Sequence, residues 1–119
     1  MMAAAVIVGC SNGAGTDQSA PDDSINTIGS IGAEVYANSC ALCHGADLRG
    51  TDKGPSQLSI VYEPNHHPDD AYRSAIANGA PQHHWTFGNM PPVAGLTDEE
   101  VESVIAFIRA EQSRQGFEQ

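Results

Sequence analysis

The chain has 119 residues, with 5 Lys+Arg against 15 Asp+Glu, a formal net charge of −10 at pH 7. That length accommodates one small domain, and the acidic balance excludes a nucleic-acid partner, which needs clustered Lys and Arg. The longest apolar run, Met2–Val8, is too short to span a bilayer, and with 40% hydrophobic and 6% aromatic residues the core is thin. Small domains of this kind usually need a covalent or metal staple.

Residues 1–9 are apolar and small, and lead into Ile7-Val8-Gly9-Cys10. This reads as the remnant of an export signal. It is similar to a lipoprotein signal, in which a Cys such as Cys10 becomes the lipidated N-terminus; the alternative is an ordinary signal with a stray thiol. Residues 10–31 are rich in Gly, Ser, Asn and Asp and read as a flexible tether. Residues 32–119 are then the folded domain.

Three main helices are predicted. The first covers Ala33–Cys43, with Ile31, Val35 and Leu42 on roughly one side. The second covers about Asp69–Asn78 and is stopped by Gly79. The third opens on Thr97-Asp98-Glu99-Glu100, which has the form of a capping box. Val101, Val104, Ile105 and Ile108 follow at helical spacing. Arg109 and Arg114 lie late, where they suit the helix dipole. The joining segments Gly45–Asn65 and Gly79–Gly95 are long and Gly/Pro-rich, so something central must organise them.

Cys40-Ala41-Leu42-Cys43-His44 is Cys-x-x-Cys-His, the attachment signature of c-type haem. Two thiols three positions apart at a helix end reach two vinyl groups of one porphyrin, and the next residue lies beneath the iron. A thioredoxin-type dithiol would need a βαβ context, and a zinc site would need more ligands at metal spacing.

From these residues the chain resembles the small class I cytochromes c of bacteria over about Gly32–Arg114. Gly32–Tyr36 running into Cys40–His44 is similar to the family's first helix and haem site. Gly54-Pro55-Ser56-Gln57-Leu58 is similar to its Gly-Pro-x-Leu loop. Tyr72–Gly79 with Gly88-Asn89-Met90-Pro91-Pro92 is similar to its middle helix and axial Met-Pro loop, and Leu96–Ile108 to its C-terminal helix. The resemblance implies an all-α cytochrome c fold wrapped around one covalent haem c. It implies Cys40 and Cys43 as attachment points and His44 and Met90 as iron ligands. Pro55 would orient His44, Leu58 would pack on the haem, Tyr72 would lie at the haem, and Phe107 would pack near Tyr36. Trp85 and Tyr62 could reach a propionate or simply pack in the core. Arg49 and Lys53 could reach one too, though a solvated position is the plainer reading.

The pairs His66-His67 and His83-His84 are outside the family pattern. Paired histidines on loops are metal-competent, and His83 or His84 rivals Met90 as sixth ligand. The plainer reading is solvated residues or propionate contacts. The function expected is an exported, single-electron carrier, periplasmic or tethered at the outer face of the cytoplasmic membrane. It would act alone or within a respiratory complex, and would serve redox proteins with a basic docking surface. The alternatives are a haem-based gas sensor and a haem protein that also binds copper.

Overall fold

The computed structural model describes residues 23–117. The expected signal and Cys10 lie outside the described residues. The elements in chain order are α1 (Asp23–Ser39), α2 (Ala41–His44), a 3-10 turn (Ile60–Tyr62), α3 (Asp69–Asn78) and α4 (Asp98–Arg114). Among the described residues there is no strand, and one isolated antiparallel bridge joins Ala80 to Met90. The architecture is the expected all-α one.

Two helix boundaries differ from the sequence reading. The first helix begins at Asp23, within the stretch read as a tether. Residues 26–30 are exposed, so the extension gains little burial. It propagates from the packed part of the helix, where each added residue costs far less than starting a new turn. The same helix stops early, because Cys40 leaves helical geometry at φ −121°, ψ −37°. The separate turn α2 therefore turns Leu42 outward, where it is 75% exposed rather than aligned with Val35.

α4 behaves as its sequence demands. Thr97 Oγ1 accepts from the Glu100 amide at 3.2 Å, and the Thr97 amide donates to Glu100 Oε2 at 2.8 Å, completing the capping box. Three acidic residues in the first turn and Arg114 in the last complement the dipole. Val104, Ile105 and Ile108 are buried and join Val35, Tyr36, Leu48, Tyr72 and Ile76 in one core.

α1 and α4 cross at Gly32. A Cβ there would lie 2.1 Å from the Ser103 carbonyl oxygen and 2.8 Å from Phe107 Cβ, so only glycine admits this approach. Four residues on, the Tyr36 and Phe107 rings meet with centroids 5.5 Å apart. The sequence had placed that pair at the crossing.

Arg109 does more than face the helix dipole. It is 8% exposed. Its guanidinium donates to Asp69 Oδ1 (2.8 Å), the Tyr62 carbonyl (2.6 Å), the His67 carbonyl (2.5 Å) and Gln112 Oε1 (2.8 Å). It also sits 4.8 Å from the Tyr72 ring centroid. One side chain of α4 thus fixes the start of α3 and the segment that precedes it.

Candidate functional site

A cleft of about 690 Å³ opens between α2, α3 and the loop that follows α3. Cys40, Cys43 and His44 line it, as do Met90 and, at its rim, His67, His83, His84 and Trp85. Its size suits a cofactor.

The Cys-x-x-Cys-His segment is held by its carbonyls. Tyr36 donates from its hydroxyl to the Gly45 carbonyl at 2.8 Å, Thr51 from its hydroxyl to Cys43 O at 2.7 Å, and the Gly50 amide to His44 O at 2.7 Å. Burial raises the Tyr36 phenol well above its ordinary range, with Cys40 nearby adding to the effect. Burial likewise pushes the Cys40 thiol up to about 11, with Cys43 as the second cause. Neither cysteine is in a disulfide, so both sulfurs are available to a cofactor.

His44 donates from Nδ1 to the Pro55 carbonyl at 2.9 Å. This is the contact that the resemblance implied for Pro55, and it leaves Nε2 as the ring atom available to a metal. A second group faces the same nitrogen. The Gln57 side-chain nitrogen Nε2 lies 2.9 Å from His44 Nδ1, and its Oε1 accepts from the Tyr72 hydroxyl at 3.1 Å. Gln112, fully buried on α4, donates to that hydroxyl at 3.0 Å and to the Gln57 carbonyl at 2.8 Å. A buried polar chain therefore runs from Arg109 through Gln112, Tyr72 and Gln57 to His44. Tyr72 is held well above its usual pKa by burial, so it stays a hydroxyl donor.

Leu58, the residue expected against the haem, is half-buried against the core and does not line the cleft. Gln57 does. Gln57 stands three positions after Gly54, where Gly-Pro-x-Leu has its Leu, so the sequence held this signal. Arg49 and Lys53 are exposed and do not line the cleft.

The opposite wall is the loop 80–90. Its base is closed by the Ala80 amide to Met90 O (3.0 Å) and the Met90 amide to Ala80 O (2.8 Å), and the Val93 amide bonds back to Ile76 O at 2.8 Å. Gly79, at φ 76°, makes the base possible, because a Cβ there would lie 2.4 Å from Met90 O. Within the loop, Gln82 N donates to Asn89 Oδ1 and Gly88 N to Gln82 Oε1. Trp85 stacks on Tyr62 with centroids 5.7 Å apart and planes at 28°. The structure thus brings Cys40, Cys43, His44, Pro55, Tyr72, Trp85 and Met90 to one cleft, as the sequence reading grouped them. Two thiols on one wall, an oriented imidazole beside them and a thioether on another wall suit a flat, covalently held macrocycle.

The sequence profile of the cytochrome c family matches residues 30–111. Over 80 residues the chain is 36% identical to the CcoP subunit of the cbb3-type cytochrome c oxidase of Rubrivivax gelatinosus, covering 66% of this chain and 24% of that protein. Over 96 residues it is 33% identical to cytochrome c-551 of Bacillus subtilis (strain 168), covering 81% of this chain and 74% of that one. The chain therefore spans about a quarter of the first relative and about three quarters of the second. No solved structure matches it.

Proposed function

The chain belongs to the cytochrome c family and carries haem c; on that premise we propose that it transfers electrons as an exported monohaem carrier whose iron is held by His44 and Met90. The observation that carries this reading is the placement of Cys40, Cys43, His44 and Met90 around one cleft. The haem iron supplies a one-electron Fe(III)/Fe(II) couple. Cys40 and Cys43 would hold the porphyrin as thioethers through its two vinyl groups.

The protein's own part is to hold the ligands still. Pro55 O keeps the proton on His44 Nδ1, which commits Nε2 to the metal. Ala80 fixes the Met90 backbone. With His44 and Met90 both held to the iron no substrate would have a place on it, so the chain would carry electrons and make no bonds in other molecules. A thioether ligand raises the reduction potential relative to a second imidazole.

The net charge of −10 favours a redox partner with a basic face, since complementary fields speed encounter. Among the described residues no helix is long and apolar enough to cross a membrane. Attachment of haem c outside the cytoplasm and the Cys10 context support an exported chain, lipid-anchored at the membrane surface.

The test is the oxidised absorption spectrum of the purified holoprotein. Methionine on ferric haem gives a weak far-red charge-transfer band, and Met90→Ala removes it and lowers the potential. Survival of the band in that variant overturns Met90 ligation. Ready binding of carbon monoxide by the reduced wild type at neutral pH would favour a gas sensor instead.

A further inference from the structure

Four of the chain's five histidines take no part in the proposed haem ligation, and they gather at one end of the cleft. His66 and His67 precede α3, and His83 and His84 lie in the loop 80–90. The His66 and His84 Nε2 atoms are 3.4 Å apart. The ligand atoms of His66, His67 and His84 all lie within 4.8 Å of one another. The His83 ring is 4.3 Å from that of His84 and 5.8 Å from that of His67, centroid to centroid.

We propose that His66, His67 and His84, with His83 as a fourth donor, form a site for one late first-row divalent cation, Cu²⁺ or Zn²⁺, at the rim of the haem cleft. Three observations support it. First, two nitrogens on a tetrahedral zinc at about 2.05 Å stand about 3.3 Å apart. The His66–His84 spacing is already that of a shared metal, and is long for a hydrogen bond. Second, the outer nitrogens are occupied. His67 Nδ1 donates to Val61 O and His83 Nδ1 to Pro81 O at 2.9 Å. Each of these bonds fixes the tautomer that leaves Nε2 as a lone-pair donor, the arrangement that metal-bound histidines have in their surroundings. Third, the segment is pre-positioned, because Arg109 bonds the carbonyls of Tyr62 and His67.

The donor set selects the ion. The group contains imidazole only, so Ca²⁺ and Mg²⁺, which take oxygen ligands, are excluded. Imidazole suits copper and zinc, with copper the tighter. A bound ion would clip the Met90-bearing loop to the segment fixed by Arg109.

The experiment uses holoprotein purified without an affinity tag. It is titrated separately with Cu²⁺ and Zn²⁺, with bound metal counted and the copper form read by electron paramagnetic resonance. The expected result is one ion per chain at micromolar free metal, with nitrogen hyperfine structure from several imidazoles. His66→Ala/His84→Ala removes two exposed side chains and should weaken binding by at least about 100-fold, more than the loss of an outer-sphere partner costs. The far-red haem band of the wild type should be unchanged by the added metal, which keeps this site separate from the His44/Met90 reading. Absence of binding by the wild type overturns the proposal, as does undiminished affinity in the double variant. Loss of the far-red band on adding metal also overturns it, because the ion would then be taking a haem ligand.

Discussion

Replacing Gln57 by leucine removes the amide that faces His44 and leaves the Pro55 carbonyl as the acceptor of the His44 proton. The side chain is 5% exposed and touches His44 Nδ1 at 2.9 Å and the Tyr72 hydroxyl at 3.1 Å. Two effects on stability oppose each other. The Tyr72 hydroxyl proton loses its acceptor inside the core, at a cost of about 1–3 kcal/mol. A buried leucine gains about 1.5–3 kcal/mol. These nearly cancel, so the unfolding midpoint is expected to stay close to that of the wild type. The potential is not balanced in this way. The Gln57 Nε2–H group, the positive end of the amide dipole, faces the His44 ring, so its loss makes the imidazole a stronger donor to iron, which favours the ferric state and lowers the potential. One polar contact of hydrogen-bond strength is worth about 0.5–1.5 kcal/mol. A one-electron couple moves about 59 mV per tenfold change, or 1.4 kcal/mol. The whole contact would therefore give about 20–60 mV, and the difference between redox states gives the lower part of that range. Spectroelectrochemical titration of both holoproteins measures it. An unchanged or raised midpoint potential, with the fold intact, refutes the coupling of Gln57 to His44.

Gly32→Ala should cost about 2 kcal/mol or more through the forced separation of α1 and α4, roughly 10 °C in the thermal midpoint. Gly29→Ala, whose new Cβ meets nothing within 4 Å, should not destabilise, and equal effects at the two sites would refute the crossing argument. Arg73 donates to Glu102 at 2.6 and 2.8 Å, and this bond holds the Glu102 carboxyl below its ordinary range. The stabilisation is therefore full above the unfolded carboxyl value of about 4.3 and is lost as pH falls through the lower folded value. Thermal midpoints across that acid window should fall in the wild type and less in Arg73→Gln. Electron transfer to a basic partner should slow as salt shortens the screening length to about 10 Å at 0.1 M, and stopped-flow rates indifferent to ionic strength would remove the docking argument.

The features legible in the sequence are those written in local chemistry. Thr97 and Glu100 fix the start of α4 by themselves, and Cys40–His44, Pro55, Gly79 and Met90 stand at recognisable spacings. The missed features depend on partners far along the chain. Arg109 looked like a dipole-matching cation until Asp69, Tyr62 and His67 were placed around it. Gln112 offers no pattern of its own, because a buried amide is explained only by what it bonds. The early start of α1 was hidden by Gly29, Ser30 and Gly32, which argue against helix locally, although Gly32 is what permits the crossing. At Gln57 the sequence was sufficient, and the register from Gly54 was set one residue late.

The paired amides of Ala80 and Met90 separate anchorage from contour. Once that two-bond clasp and Gly79 are in place, the position of the sulfur-bearing residue's backbone no longer depends on the path between Gln82 and Gly88. That stretch carries His83, His84 and Trp85 to the cleft, and a change of side chain there alters the lining while the clasp continues to present the same thioether.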